Sequence, residues 1–348
     1  MVSEIPRAET PPEVRPFPRR ADEAAATPVD DGIVQLTLPL GYSATADVNA
    51  FLLELDGGWC LVDTGSTLDP GWDGLATALA AAGVEPGAIT LLLATHPHED
   101  HYGLASRVLA ETGAELALAP GPLASADVLR DPTIPLATRI ASCRRAGVPA
   151  DALAAAARHP GDVGDHPRPA PDRVLADGDV LTTRAADWRV VHAPGHAPAQ
   201  LVLHDERGGR LISADLVLGG RIPYLEYGYT ADPWAEQVAS LERVAALDIR
   251  LLLAGHGPPE REVAARFEAA LGAVRAAPGR LVDAIASEPR TAYGAMVDVL
   301  GPDANFYRRH AALSGALSVL ERLVATGELR AWDDDDGVRW YADQRRPS

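Results

Sequence analysis

The chain has 348 residues, 47% of them hydrophobic, which suits a sizeable packed core and excludes a disordered polymer. Its formal charge is −18 and all 31 basic residues are arginine, which argues against a broad polyanion-binding surface and leaves room only for a local basic pocket. Cys60 and Cys143 are the only cysteines and form no motif, which argues against a disulfide framework.

From Met1 to about Thr27 the sequence is rich in Pro, Arg and Glu and lacks the apolar core of a secretory signal, so residues 1–27 read as a flexible arm. No apolar run is long enough to span a bilayer, and the simplest address is the cytoplasm. Ile33–Pro39, Val48–Leu55 and Trp59–Val62 predict short strands, with Asp56-Gly57-Gly58 as a turn. Asp69–Ala82 predicts a helix stopped by Gly83, and Ile89–Ala94 a buried strand. His101–Thr112 predicts a helix stopped by Gly113, followed by a strand at Glu115–Ala119.

Residues 121–168 change character. Alanine-rich helical patterns at Pro135–Ala146 and Ala150–Arg158 alternate with Pro and Gly, as in an insertion that walls a pocket or simply covers the surface. Strands resume at Val180–Thr182, Trp188–His192, Gln200–His204 and Arg210–Ser213. A helix at Trp234–Ala246, a buried strand at Leu251–Ala254 and a helix at Glu260–Ala276 follow. Beyond Pro278-Gly279 come helices at Leu281–Ser287, Thr291–Val299 and His310–Thr326, then strands at Glu328–Trp332 and Val338–Tyr341. Three helices and a hairpin make a winged-helix pattern.

The densest chemistry lies in Thr95-His96-Pro97-His98-Glu99-Asp100-His101, directly after a predicted buried strand. Imidazole and carboxylate donors are what Zn²⁺ selects, whereas a solvated polar turn is the bland alternative. Four more strand ends carry matching groups: Asp63 in Val62-Asp63-Thr64-Gly65, His196 after Pro194-Gly195, Asp215 after Ser213-Ala214, and His256 between Gly255 and Gly257. Each alone reads most simply as a cap, turn or surface residue. Their joint occurrence does not.

His96-x-His98-x-Asp100-His101, then His196, Asp215 and His256, resembles the metal signature of metallo-β-lactamase-fold hydrolases over about Ile33 to Glu260. The tail resembles the winged helix appended in one branch that includes an endoribonuclease. The resemblance implies an αββα sandwich of two facing sheets with helices outside. It implies a catalytic domain at 28–277, with the helical insertion at about 121–168, and a winged-helix-like domain at 278–348. It also implies two Zn²⁺ ions, iron or manganese being open alternatives: His96, His98 and His196 on the first, Asp100, His101 and His256 on the second, Asp215 bridging. Asp63 would orient ligands, and Asp100 would also pass a proton to the leaving group. A shared water acidified toward a pKa of roughly 7 would attack the substrate. His98, where redox relatives carry Glu, points to hydrolysis. Many relatives carry a further Gly-His or Asp-His where this chain has Ala199-Gln200, so groups around the ligands are expected to differ.

For substrate, a small thioester, ester or lactone leads and a phosphodiester or RNA is the runner-up. Asp333-Asp334-Asp335-Asp336 at the predicted wing would repel phosphate, and nucleic acid is therefore disfavoured as a partner. A pure binding protein ranks last. Arg221, Tyr224, Tyr227 and Tyr229 are candidate substrate contacts, and a homodimer through the tail is an expectation. His159, His166, His192, His204 and His310 fit no ligand position and read as packing or surface residues.

Overall fold

The computed structural model describes residues 20–40, 47–68, 70–131, 133–156, 168–217, 224–301 and 306–344. The first strand, β1 (Ala25–Asp30), follows a 3₁₀ turn at Ala21–Glu23 and pairs antiparallel with β2 (Ile33–Pro39). The predicted arm therefore does not extend to Thr27; residues 1–19 lie outside the described part. β1 is an edge strand carrying Pro28 and mostly exposed side chains, so it lacks the alternation that marks a half-buried strand.

β3 (Asp47–Leu55), β4 (Gly58–Val62), β5 (Ile89–Ala94), β6 (Glu115–Leu118) and β7 (Arg173–Val174) complete a sheet ordered β1-β2-β3-β4-β5-β6-β7. Its pairs are antiparallel as far as β3–β4 and parallel from β4–β5 onward. The parallel pairs need crossovers: α1 (Gly71–Ala81) precedes β5, and α2 (Glu99–Tyr102) and α3 (Ala105–Thr112) precede β6. α4 (Ala126–Arg130), α5 (Thr133–Arg145) and α6 (Ala150–Ala156) lie between β6 and β7, at the place of the expected insertion. A second sheet contains β8 (Val180–Thr182), β9 (Asp187–His192), β10 (Leu201–Asp205), β11 (Arg210–Ala214) and β12 (Leu251–Ala254), ordered β12-β11-β10-β9-β8. α7 (Pro233–Ala245) makes the crossover from β11 to β12.

The alternation of side chains sorts the core into layers. Cys60 and Val62 of β4 and Leu91 and Leu93 of β5 face the second sheet, meeting Trp188, Val190, Leu201, Leu203, Ile212 and Leu253. Leu61 and Leu92 point the other way, onto Leu75, Ala78 and Leu79 of α1 and Val108 of α3. On the far face of the second sheet, Val202, Leu211 and Leu252 pack against Leu241 and Val244 of α7 and against Val263, Phe267 and Val274 of α8 (Val263–Ile285). The result is an αββα sandwich. Cys60 is a buried apolar filler, and burial pushes its thiol pKa up.

The sequence predicts two helices on either side of Pro278, yet α8 runs through it. Proline has no N–H to give the carbonyl four residues earlier, which is that of Val274. Trp234 Nε1 of α7 donates to that carbonyl at 3.3 Å. Ala277, Leu281 and Ile285 then enter a third core with Met296 of α9 (Ala292–Leu300) and with Leu313, Leu317 and Leu320 of α10 (Phe306–Ala325). β13 (Arg290–Thr291), β14 (Leu329–Asp333) and β15 (Arg339–Asp343) form a small antiparallel sheet, and Tyr341 closes this core. Cys143 and Ala146, from the end of α5, belong to the same core, so the tail packs on the insertion. No helix among the described residues is long and apolar enough to cross a membrane.

Candidate metal centre

All seven residues singled out as metal ligands converge at one edge of the sandwich. His96, His98, Asp100 and His101 follow β5, and α2 begins at Glu99. His196 follows β9, Asp215 follows β11 and His256 follows β12. Local backbone chemistry brings them close. Gly195 sits at φ +132°, and a side chain there would lie 2.5 Å from the Gln237 backbone of α7. Gln237 returns the approach by accepting the His196 N–H through Oε1 at 2.9 Å and donating to the Leu216 carbonyl at 3.0 Å. Asp63 and Ala214 are the two non-glycine residues with positive φ, 63° and 46°, among those described. Such conformations persist where surrounding contacts over-determine them, commonly at functional sites.

The ligand atoms form three overlapping groups: His96, His98 and His196; His96, His101 and Asp215; and Asp100, His101 and His256, each within 4.8 Å. His196 Nε2 lies 3.0 Å from His98 Nδ1 and 3.6 Å from Asp215 Oδ2. On the other side, Asp215 Oδ1 is 3.3 Å from His101 Nε2 and Asp215 Oδ2 is 3.4 Å from His256 Nε2. Asp215 thus stands between the two halves. Asp100 is 3.5 Å from His256 Nε2 through Oδ2 and 3.9 Å from His101 Nε2 through Oδ1.

The outward-facing nitrogen of every ring is committed elsewhere. His101 Nδ1 donates to Asp63 Oδ2 at 2.8 Å, and Thr95 donates to the same carboxylate from its N–H and hydroxyl, each at 2.8 Å. The Thr95 oxygen in turn accepts from His96 Nδ1 at 3.0 Å. His196 Nδ1 donates to the Tyr224 carbonyl at 3.0 Å, His256 Nδ1 to the Asp47 carbonyl at 2.7 Å, and His98 Nε2 to Glu226 Oε2 at 2.7 Å. These bonds fix each imidazole's orientation and leave one nitrogen facing the cluster. Asp63 therefore lies beneath the cluster, holding His101 and, through Thr95, His96.

Burial and charge divide the histidines. Burial, together with the neighbouring imidazoles, drives His96 well below its ordinary pKa and brings His196 down to about 3. Burial also opposes a proton on His101 and His256, but Asp215 and Asp100 outweigh it: His101 is held well above its ordinary value and His256 at about 10. Asp215 is itself held well below the usual carboxylate range, because His256 and His101 overcome the cost of burial.

Among the described residues, His96 Nε2, His101 Nε2 and Asp215 Oδ1 are buried inside this cluster with no hydrogen-bond partner. His101 Nε2 and Asp215 Oδ1 face each other only as an ion pair at 3.3 Å, and a buried polar atom without a hydrogen bond costs about 1–3 kcal/mol. Three of them converging among imidazole and carboxylate donors fit a divalent cation.

Of the candidate substrate residues, Tyr224 places its ring 5.5 Å from that of His98 and 5.7 Å from that of His196. Tyr224, Tyr227 and Tyr229 line a cleft with Arg139, Ser142 and Cys143 of α5 and Leu313, Ser314 and Leu317 of α10. The sequence predicted the first two walls and missed α10. Arg221 lies outside the described residues, as do His159 and His166. His192 and His204 make backbone contacts away from the cluster. Glu226 and Gln237 were also missed, because nothing local to them signals a metal site, and Thr95, although part of the singled-out segment, was given no role.

Gly255 is the tightest approach in the centre. A Cβ there would lie 2.2 Å from Asp215 Oδ1 and 2.8 Å from His101 Cε1. Gly255→Ala is expected to displace both and weaken metal binding at least about tenfold, the scale seen when groups around a ligand are disturbed. Titration with a chromophoric chelator checks this, and unchanged affinity would contradict the packing.

The sequence profile of the metallo-beta-lactamase superfamily matches residues 45–256. A metallo-beta-lactamase family protein from Thermus thermophilus superposes with a TM-score of 0.77 at 25% identity, covering 91% of this chain and 100% of that one. A beta-lactamase domain protein from Burkholderia ambifaria gives 0.68 at 27% identity, covering 91% and 94%. A probable metallo-hydrolase of Bacillus subtilis (strain 168) is 36% identical over 87 residues, 23% of this chain and 27% of its own length. An acyl-coenzyme A thioesterase of Gallus gallus is 32% identical over 87 residues, 25% of this chain and 31% of its own length. The chain thus aligns with less than a third of these curated relatives. Since the profile spans more than half of the sequence and the whole fold agrees with it, the chain belongs to the metallo-beta-lactamase superfamily.

Proposed function

We propose that this protein is a hydrolase that holds two divalent metal ions, zinc by preference, and cleaves a small acyl substrate such as a thioester, ester or lactone. The observation that carries the reading is the convergence of three buried ligand atoms that make no hydrogen bond among the described residues, His96 Nε2, His101 Nε2 and Asp215 Oδ1. His96, His98 and His196 would hold one ion, Asp100, His101 and His256 the other, and Asp215 both. When bound, the metals supply Lewis acidity, acidifying water and stabilising negative charge on the attacked oxygen.

The chain's own groups do the rest. In the metal-free protein burial raises the Asp100 pKa but His101 and His256 outweigh it and hold it below the ordinary value, and as a carboxylate Asp100 would enter the reaction as a proton acceptor. Its side chain is 17% exposed against 6% for Asp215, so it can reach substrate and return the proton to a leaving group. Asp63, wholly engaged with Thr95 and His101, orients and does not transfer. The cleft beside His98 offers Tyr224, Tyr227, Tyr229, Leu313 and Leu317 to an acyl group, with Arg139 and Ser142 as polar contacts. The thioesterase named among the relatives supports the same class.

A phosphodiesterase or endoribonuclease is the second reading, favoured by the winged-helix-like order of α9, α10, β14 and β15. The turn after β14 opposes it. Its Asp334 is held below the ordinary carboxylate pKa by Trp340 and the Val338 N–H, which tie it into the turn, and its charge opposes phosphate. Metal analysis followed by a panel of thioesters, lactones, a cephalosporin and bis-p-nitrophenyl phosphate decides between the two. Preference for the phosphodiester would overturn the acyl reading.

Within the acyl reading, Tyr229→Ala is expected to raise KM about tenfold, the worth of an aromatic contact of about 1.4 kcal/mol, while Tyr229→Phe leaves kinetics unchanged. A fall in kcat with Phe would mean that the hydroxyl donates to the oxyanion. Metal uptake is expected to release protons. His101 and His256 are protonated in the metal-free protein at neutral pH and must surrender Nε2 protons to bind. Affinity therefore rises with pH until His256 deprotonates near 10. The same shift stabilises the metal-free fold fully below the ordinary histidine pKa of 6.5, and that stability is lost as pH rises through about 10. Calorimetry in buffers of different ionisation enthalpy measures the release, and none at pH 7 would contradict the assignment.

A further inference from the structure

We infer that Tyr224–Tyr227 is a strap that sets which nitrogens of His98 and His196 face the metals, with Glu226 as the positioning residue for His98 and Ser314 of α10 as the strap's anchor. The inference rests on the reading that the cluster binds divalent metal.

Three bonds join the strap to the two histidines, two of them to the imidazole rings. The Tyr224 carbonyl accepts His196 Nδ1–H at 3.0 Å, and the Glu226 N–H donates to the His196 carbonyl at 3.1 Å. Glu226 Oε2 accepts from His98 Nε2 at 2.7 Å, and its side chain is 8% exposed. A carboxylate that claims Nε2–H leaves only Nδ1 to face His196, 3.0 Å away. Without it the His98 ring loses the bond that selects its facing nitrogen, and imidazole can turn about χ2 to present either edge.

The strap is held from behind by one hydroxyl. Ser314 Oγ donates to the Leu225 carbonyl and accepts the Tyr227 N–H at 3.1 Å, so it spans the residues on both sides of Glu226. Ser314 belongs to α10, in the C-terminal unit. The tail therefore forms part of the metal centre: it both walls the cleft and anchors the residue that orients a ligand.

The test uses the full chain and Zn²⁺ competed against a chromophoric chelator, with imidazole ¹⁵N–¹H correlations as a second readout. In the unaltered protein, His98 Nε2 is expected to carry its proton both metal-free and zinc-loaded; a bare Nε2 in either state overturns the inference without any variant. Glu226→Ala is expected to weaken zinc binding about 10–100-fold and to make the His98 ring signals exchange between forms, with Glu226→Gln in between because its amide oxygen still accepts. Wild-type affinity in Glu226→Ala overturns the role of Glu226. Ser314→Ala is expected to weaken zinc about tenfold. Ser318→Ala, one turn further along α10, removes a hydroxyl that among the described residues donates to the Ser314 carbonyl, and it is expected to change nothing. Equal effects from the two serines, or none from Ser314→Ala, overturn the anchor. Failure of the unaltered protein to bind zinc at all would instead refute the metal reading, and this inference with it.

Discussion

Asp215→Ala is expected to lose one of two bound metals, to lower the affinity for the other by more than about 100-fold, and to reduce hydrolysis by about 10³-fold or more. Removing a group that merely supports a ligand costs about 10–100-fold in affinity, and Asp215 would itself be a ligand of both ions. It lies within 3.3–3.6 Å of His101, His196 and His256, so no neighbour can take over its position. Its charge also offsets protons on His101 and His256 in the metal-free protein. Alanine would therefore lower the His256 pKa from about 10 and shift the pH dependence of metal uptake in the same direction. Inductively coupled plasma analysis of the purified variant, with a chelator titration, reads both effects. Two metals retained with full activity would sink the bridging role.

Arg168→Ala is expected to destabilise the fold by about 3–5 kcal/mol, the cost of leaving a buried partner charge alone. Glu99 is 1% exposed and Arg168 7%, and Arg168 Nη2 meets Glu99 Oε2 at 2.6 Å. Arg168 also donates from Nη1 to the Pro97 carbonyl, and its N–H donates to the Leu129 carbonyl at 2.6 Å. The other Glu99 oxygen accepts the Thr67 N–H at 2.9 Å and the Thr67 hydroxyl. This network fastens the loop that carries His96, His98 and Asp100 to the segments on both sides of it. Chemical denaturation should show the loss, accompanied by weaker metal binding. Arg168→Lys should fall between, since lysine keeps the charge and loses the planar fork. The double variant Arg168→Met, Glu99→Gln should recover much of the stability, because no buried charge then lacks a partner. An unchanged midpoint in Arg168→Ala would contradict the account.

The seven cluster residues were legible because each pairs a chemistry-bearing side chain with a strand end, a local pattern. Their supports were not. Glu226 is 128 residues from His98, and Arg168 is 69 from Glu99, so only the folded chain brings them together. Glu99 itself falls in the polar turn ahead of the predicted helix, yet it is fully covered. The predicted helix at His101–Thr112 breaks into α2 and α3 near Gly103, where a Cβ would lie 2.3 Å from the Glu99 carbonyl oxygen and 2.9 Å from Thr67 N. Most strands of the sandwich were legible because they are short, apolar and separated by turn residues, whereas their αββα arrangement followed from the resemblance alone. β1, β7 and β13 were not, because edge strands and two-residue pairings carry too few side chains to show a period. The continuity of α8 depends on an indole from another helix, which no window of sequence around Pro278 contains.

That helix decides how the molecule can be divided. Val263, Phe267, Ala270 and Val274 of α8 belong to the sandwich core, and Ala277, Leu281 and Ile285 to the tail core. A cut after Ala277, where the sequence places a domain boundary, would sever one helix in mid-turn and part the tail core from Ala277, Cys143 and Ala146. Pro278 sits at the seam, where Trp234 supplies the missing hydrogen bond and lies under the Arg322 guanidinium of α10 at 4.8 Å. The two halves therefore share a beam, and the tail cannot swing away as an independent module while that beam stays whole. Expression fragments, insertions and fusions are better placed in the surface turns than at Pro278.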